Sequence, residues 1–207
     1  MPVQRELMLN GRLTIKTGKK RSSKADATVE KILTASLARI IAFGESGISM
    51  TEICREVGIS RPTIYRYFPT REALLENVFE YILDDYMDKL DAKIAADPNP
   101  LHRVDIIADF AEARLQDGGA QLFQLEPSLV MKLISRSQNR LIGHAEKIFA
   151  PLFDIAEAIS GKPVDRHSAA TAFLMFSASL SFFVAQSASV NAGDLLRKTI
   201  RSLAHFS

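Results

Sequence analysis

Residues 49–68 read SMTEICREVGISRPTIYRYF, and the spacing of their apolar, capping and turn residues decides the fold of the first third of the chain. Ser49 with Glu52 three residues later forms a capping-box pattern, in which the two side chains serve free N–H groups of an opening helical turn. The pattern predicts a helix from Met50 to Val57, closed by Gly58 in the left-handed conformation. Ile59 then drops into the core, Ser60 caps a second helix, and Pro62 sits in its first turn. Ile53, Val57, Ile59, Ile64 and Phe68 form an inward set, leaving Arg61, Thr63, Arg66, Tyr65 and Tyr67 to meet something else. A helix, tight turn and helix of this kind can lay its second helix in a DNA major groove.

Working outward, Asp26 opens a helix to about Glu45 with Val29, Ile32, Leu33, Leu37, Ile40 and Ile41 on one face, ended by Gly44 and Gly47. Its expected role is support behind the two short helices. After Phe68, Pro69 breaks the chain and Thr70 caps a long amphipathic helix to about Ala96, which joins the two parts of the molecule. Beyond Pro98 and Pro100 the period stays helical. Helices are expected near Leu101 to Gln116, Gln121 to Leu125, Ser128 to Ser160 with a break or kink at Pro151, Arg166 to Ser189, and Gly193 to Phe206. Upstream, Leu7 to Ile15 carries the Asn10-Gly11 signal of a β-hairpin in either of two registers, on an otherwise mobile arm.

Charge separates the same two parts. Met1 to Arg71 holds 13 Lys and Arg against 6 Asp and Glu, a net of +7, whereas Glu72 to Ser207 carries a net of −5. A positive end joined to an acidic body suits a DNA reader with a second module, because phosphate neutralisation dominates nucleic-acid affinity. The alternative is a solvated tail that happens to be basic.

The run Gly58-Ile59-Ser60-Arg61-Pro62-Thr63-Ile64-Tyr65-Arg66-Tyr67-Phe68, followed by Thr70-Arg71-Glu72-Ala73-Leu74, resembles the DNA-binding module of the tetracycline-repressor-like (TetR) transcriptional regulators. The resemblance covers Val29 to Val78 and is weak beyond; the short Gly47-Ile48-Ser49 link is its one visible departure. It implies an all-α protein: a basic N-terminal arm over 1–24, a three-helix helix-turn-helix domain over 25–71, and a helical effector-binding and dimerisation domain over 72–207. It places Arg61, Pro62, Thr63 and Tyr67 on the groove side, and Thr51, Ser60, Tyr65 and Arg71 near the DNA backbone. Chemically, Arg61 can grip guanine bidentately, Thr63 can touch a thymine methyl, and tyrosine hydroxyls can donate to phosphate. Tyr65 also reads as a core ring with an exposed tip. Lys19, Lys20, Arg21 and Lys24 would reach phosphates or the minor groove, as basic arms do.

For the body, the resemblance implies a small apolar or amphipathic effector and a homodimer on a palindromic operator. An apolar cavity would be lined from Phe110, Leu129, Leu133, Phe149, Phe153, Phe173 and Met175, with His144 among the polar residues able to orient a ligand. An aromatic stripe is also how an ordinary core reads. Phe176, Leu180 and Phe183, with Leu196, Ile200 and Leu203 of the last helix, fit a four-helix dimer interface or else an intrachain core.

Other functions find little support. The four histidines show no metal-ligand spacing, and neither a phosphate-cradling glycine loop nor a nucleophile motif is present, so no catalytic residue, metal or cofactor is expected. The lone Cys54 permits no internal disulfide and reads as a small core residue or a redox sensor. No apolar run approaches the roughly 20 residues of a membrane span, nor does the N-terminus read as a secretory signal, so the expectation is a cytoplasmic protein. The remaining rival is an effector-independent architectural or recombinase-type DNA binder.

Overall fold

Helical periodicity organises every regular element of the computed structural model, which describes residues 24–114 and 127–186 together with Gln124 and Lys198. In order these are α1 (Lys24–Phe43), a 3-10 turn (Glu45–Gly47), α2 (Met50–Val57), α3 (Arg61–Tyr67), α4 (Arg71–Ala96), a second 3-10 turn (Pro100–His102), α5 (Arg103–Arg114), α6 (Pro127–Arg136), α7 (Gln138–Ser160) and α8 (Arg166–Gln186). The chain is all-α across the described residues, and none of these helices is long and apolar enough to cross a membrane. The Leu7 to Ile15 hairpin and the Gly193 to Phe206 helix lie outside the described residues, as does the Gln121 to Leu125 helix apart from Gln124.

Two compact units divide the chain, Met1–Asp88 and Lys89–Ser207, so the division falls inside α4. The sequence reading sets the domain boundary at Arg71. The first unit reaches further because Leu74, Leu75, Val78 and Phe79 of α4 are buried, and because Tyr81 meets the Thr34 hydroxyl of α1 at 3.3 Å. Its core takes Ile32, Leu33, Leu37 and Ile40 from α1, Ile53 and Cys54 from α2, Ile64 from α3, and Phe68 from the turn beyond. Ser36 is buried among them and donates to the Ile32 carbonyl at 2.7 Å, which leaves no unmade bond. Of the expected inward set, Val57 and Ile59 are only half-buried.

The second unit buries Leu90, Ile107, Phe110, Leu129, Val130, Ile142, Ile148 and Phe149. The long helices α7 and α8 pack along each other. Of the break or kink expected at Pro151, no break is found there. Pro151 lies inside α7, and the break falls at Ser137, whose φ −98° and ψ 9° separate α6 from α7. The backbone bonds continue across that break, from Ser137 N to Leu133 O at 3.0 Å and from Leu141 N to Ser137 O at 2.9 Å. Proline removes one helical N–H, and the helix runs on through it; Phe149 and Phe153, four residues apart on one face, bring their ring centroids within 6.2 Å.

Candidate nucleic-acid interface

The capping chemistry sets the angle of the two short helices. Ser49 Oγ accepts from Glu52 N at 3.4 Å, and Ser60 Oγ accepts from Thr63 N at 3.3 Å. Gly58 closes α2 at φ 74° and ψ 37°, where a Cβ would be strained, and both Gly58 N and Ile59 N donate to Cys54 O at 3.0 Å. The capping box is half made. The Glu52 carboxylate is taken up instead by the part-buried Arg39 guanidinium of α1, where both partners are charged.

With Ile64 fully buried, α3 can present only its other faces. Ser60, Arg61, Pro62 and Arg66 are exposed, Thr63 and Tyr67 are half-exposed, and Tyr65 keeps 40% of its surface in solvent. Thr51 is exposed on the first turn of α2. Tyr65 is therefore not buried in the core. Ser60 Oγ and Thr63 Oγ1 stand 2.7 Å apart, so one hydroxyl pair spans the first turn of α3. Arg66 stacks over the Tyr67 ring at 4.9 Å and donates to its hydroxyl at 3.1 Å, giving a flat cationic and aromatic surface at the end of the helix. The Lys24 side chain lies outside the described set.

Arg71 behaves differently from its neighbours. Its Nε donates to Ile48 O at 3.2 Å and its Nη2 to Glu45 O at 2.5 Å, with Nη1 3.7 Å from the Glu45 carboxylate. Arg39 completes the same turn, donating from Nε to Gly47 O at 2.8 Å and standing over Phe43 at 5.4 Å. A Cβ on Gly47 would collide with that of Phe43, so glycine is what lets the turn approach α1. Sequence reasoning missed Arg39, which looks in the pattern like one more solvated charge on α1. Thr70 Oγ1 caps α4, accepting from Ala73 N at 3.0 Å.

In the body, Phe110, Leu129 and Phe149 are buried, while Leu133, Phe153 and Phe173 are half-buried. Phe149 meets Phe173 edge to face at 4.6 Å between centroids. Met175, expected among the lining residues, is 66% exposed. His144 bridges helices, its Nε2 standing 2.9 Å from Asp91 Oδ1 of α4, with Lys147 Nζ 3.6 Å from the other carboxylate oxygen. Phe176 is 37% exposed, whereas the side chains of Leu180 and Phe183, and all of Leu196, Ile200 and Leu203, lie outside the described residues. The described His, Cys, Asp and Glu residues form no group of three able to hold a metal ion.

Known proteins are similar to this chain in sequence over its first part and in fold over more of it. Residues 32–78 match the family model described as bacterial regulatory proteins, tetR family. The HTH-type transcriptional regulator RutR of Escherichia coli (strain K12) is 36% identical over 78 residues, covering 38% of this chain and 37% of RutR. The nucleoid occlusion factor SlmA of Vibrio vulnificus (strain YJ016) is 28% identical over 120 residues, covering 53% of this chain and 59% of SlmA. The chain thus spans less than two thirds of the length of these curated relatives. The likeness in fold is longer. The fatty acid degradation regulator FadR from Bacillus halodurans superposes with a TM-score of 0.63 over 86% of this chain and 94% of its own, at 15% identity.

Proposed function

Since the chain belongs to the tetR family of bacterial regulatory proteins, we propose that it is a sequence-specific DNA-binding transcriptional regulator. It acts in the cytoplasm as a ligand-responsive repressor, and a homodimer binds a palindromic operator. The observation that carries this reading is the exposed edge of α3, where Ser60, Arg61, Pro62 and Tyr65 face solvent while Ile64 anchors the helix from behind. Arg61, Pro62, Thr63 and Tyr67 read base edges. Thr51, Ser60 and Tyr65 contact the backbone, and the basic arm with Lys24 adds phosphate contacts.

One short helix reads few base pairs, so a two-fold assembly with half-sites about 34–36 Å apart supplies the rest of the specificity. The exposed Met175 and Phe176 of α8 support self-association through that helix. The cluster of Phe149, Phe153 and Phe173 supports an apolar or amphipathic effector in the body. By binding one body conformation better than another, the effector shifts the DNA-competent population. The activity is binding, not catalysis. An architectural DNA binder would share the basic head, but would follow duplex shape in place of base identity.

Selection of duplexes from a randomised pool by the purified chain tests the proposal. The expected product is a short palindrome bound by two copies; a monomeric chain without preference among duplexes at moderate salt would overturn it.

A further inference from the structure

The two arginines at the base of the reading head have their donors turned inward. Ile48 immediately precedes the Ser49 cap of α2, and Arg71 immediately follows the Thr70 cap of α4. The bond from Arg71 Nε to Ile48 O therefore closes the entire helix-turn-helix, residues 49–70, into a loop sealed by one side chain. The Nε and Nη2 edge of a guanidinium is one of the two edges that can grip phosphate bidentately. Here that edge is held by Ile48 O at 3.2 Å and Glu45 O at 2.5 Å, and the Glu45 carboxylate lies 3.7 Å from Nη1. With Arg39 on Gly47 O, the carbonyls of Glu45, Gly47 and Ile48 all accept from guanidinium groups.

We infer that Arg71 is a positioning residue for DNA reading: it clasps the two ends of the helix-turn-helix and fixes the angle of α3, and it does not contact a DNA phosphate. The inference rests on the DNA-binding function proposed above. A charge already facing Glu45 displaces few counterions from DNA, so Arg71 adds nothing to the salt dependence of binding. Lysine keeps the charge but lacks the rigid planar fork that meets both carbonyls, which makes Arg71→Lys as damaging as Arg71→Gln.

The test uses the full chain, a duplex that it selects from a randomised pool, and a scrambled duplex of equal length. Circular dichroism first sets a temperature at which each variant is folded, so that mere destabilisation leaves the preference untouched. Both variants should then lose roughly tenfold of the preference for the selected duplex, as expected for a lost charge-assisted hydrogen bond, with the wild-type salt slope retained. Wild-type preference in Arg71→Lys, together with a slope lowered by about one in Arg71→Gln, is the signature of a phosphate contact and overturns the inference. So does an unchanged preference in both. If either variant fails to fold, the Arg71 Nε–H resonance of the wild-type chain decides. It should move less than the amides of α3 when the selected duplex is added, and a larger movement overturns the clasp. A wild-type chain that prefers no duplex overturns the DNA-binding reading itself, and the clasp with it.

Discussion

The reading head and the body are both built from helices, yet among the described residues they differ in how completely buried side-chain polar groups are paired. In the head, α2, α3 and α4 each begin on a hydroxyl that accepts a backbone N–H, from Ser49, Ser60 and Thr70. In the body, α7 begins at Ser137, whose hydroxyl is buried without a partner, and the hydroxyls of Thr171 and Ser177 on α8 are in the same condition. Among its described residues the head leaves no buried side-chain polar atom without a partner. The body leaves buried hydroxyls unpaired and exposes the neighbouring Met175 and Phe176 on α8, whereas in the head the exposed Phe43 lies under the Arg39 guanidinium.

The largest expected effect comes from attacking the head's closed core. Ile64 has no exposed surface, so Ile64→Ala should cost about 2–5 kcal/mol through lost burial and an unfilled cavity. Met175→Ala, at a site 66% exposed, should change the unfolding of a single copy by less than about 0.5 kcal/mol. Denaturant melts of both variants at low protein concentration make the comparison. Similar costs would erase the distinction between a finished core and an open face.

Next in size is a change of binding without a change of stability. Arg61→Ala should weaken binding to the preferred duplex by about 1–3 kcal/mol and relax base preference. Arg140→Ala, on an exposed position of α7, should leave both unaltered. Equal loss on every duplex would instead make Arg61 a phosphate contact, and loss in Arg140→Ala would place part of the interface in the body.

A smaller pair tests the helix starts directly. Ser60→Ala removes a working cap and should cost about 1 kcal/mol. Ser137→Ala removes a buried hydroxyl that bonds nothing, so it should be neutral or slightly stabilising. If thermal melts gave the two substitutions the same cost, the difference drawn above would be wrong.

What could be read beforehand follows the same line. The bounds of α2, the left-handed Gly58, the Ser60 cap and the run of α4 to Ala96 were legible because short-range chemistry dictates each of them. Arg39 and Arg71 were not legible as braces, since their acceptors are backbone carbonyls 8, 23 and 26 positions away and carry no residue code. The break at Ser137 was missed for a related reason. A proline announces itself in sequence, whereas a helix that runs on through it, as α7 does through Pro151, does not. On α8, apolar residues on nearly every side predict burial everywhere, and only the fold reveals that the side bearing Met175 stays open.

The least of the expected effects separates the two units by the sign of their response to pH. In the body, the hydrogen bond from Arg166 holds the Glu157 carboxyl below its ordinary range, helped by Val164 N–H. The backbone and hydroxyl of Ser168 do the same for Asp165, and His102 for Asp97. A carboxylate held low contributes stability above its unfolded value, and that contribution is lost as the pH falls through the folded one. The body should therefore weaken progressively below about pH 4.5, and Glu157→Gln should flatten part of that loss. In the head, burial pushes the Tyr81 phenol up, against a smaller opposing effect of its bond to Thr34. A group held high contributes stability below its unfolded value and loses it as the pH rises, so the head should weaken above about pH 10, a loss that Tyr81→Phe removes. Denaturation midpoints followed separately for each unit across both ranges decide the matter. A head that fails first in acid, or a body that fails first in alkali, would show that these side chains do not set the pH response of the units that hold them.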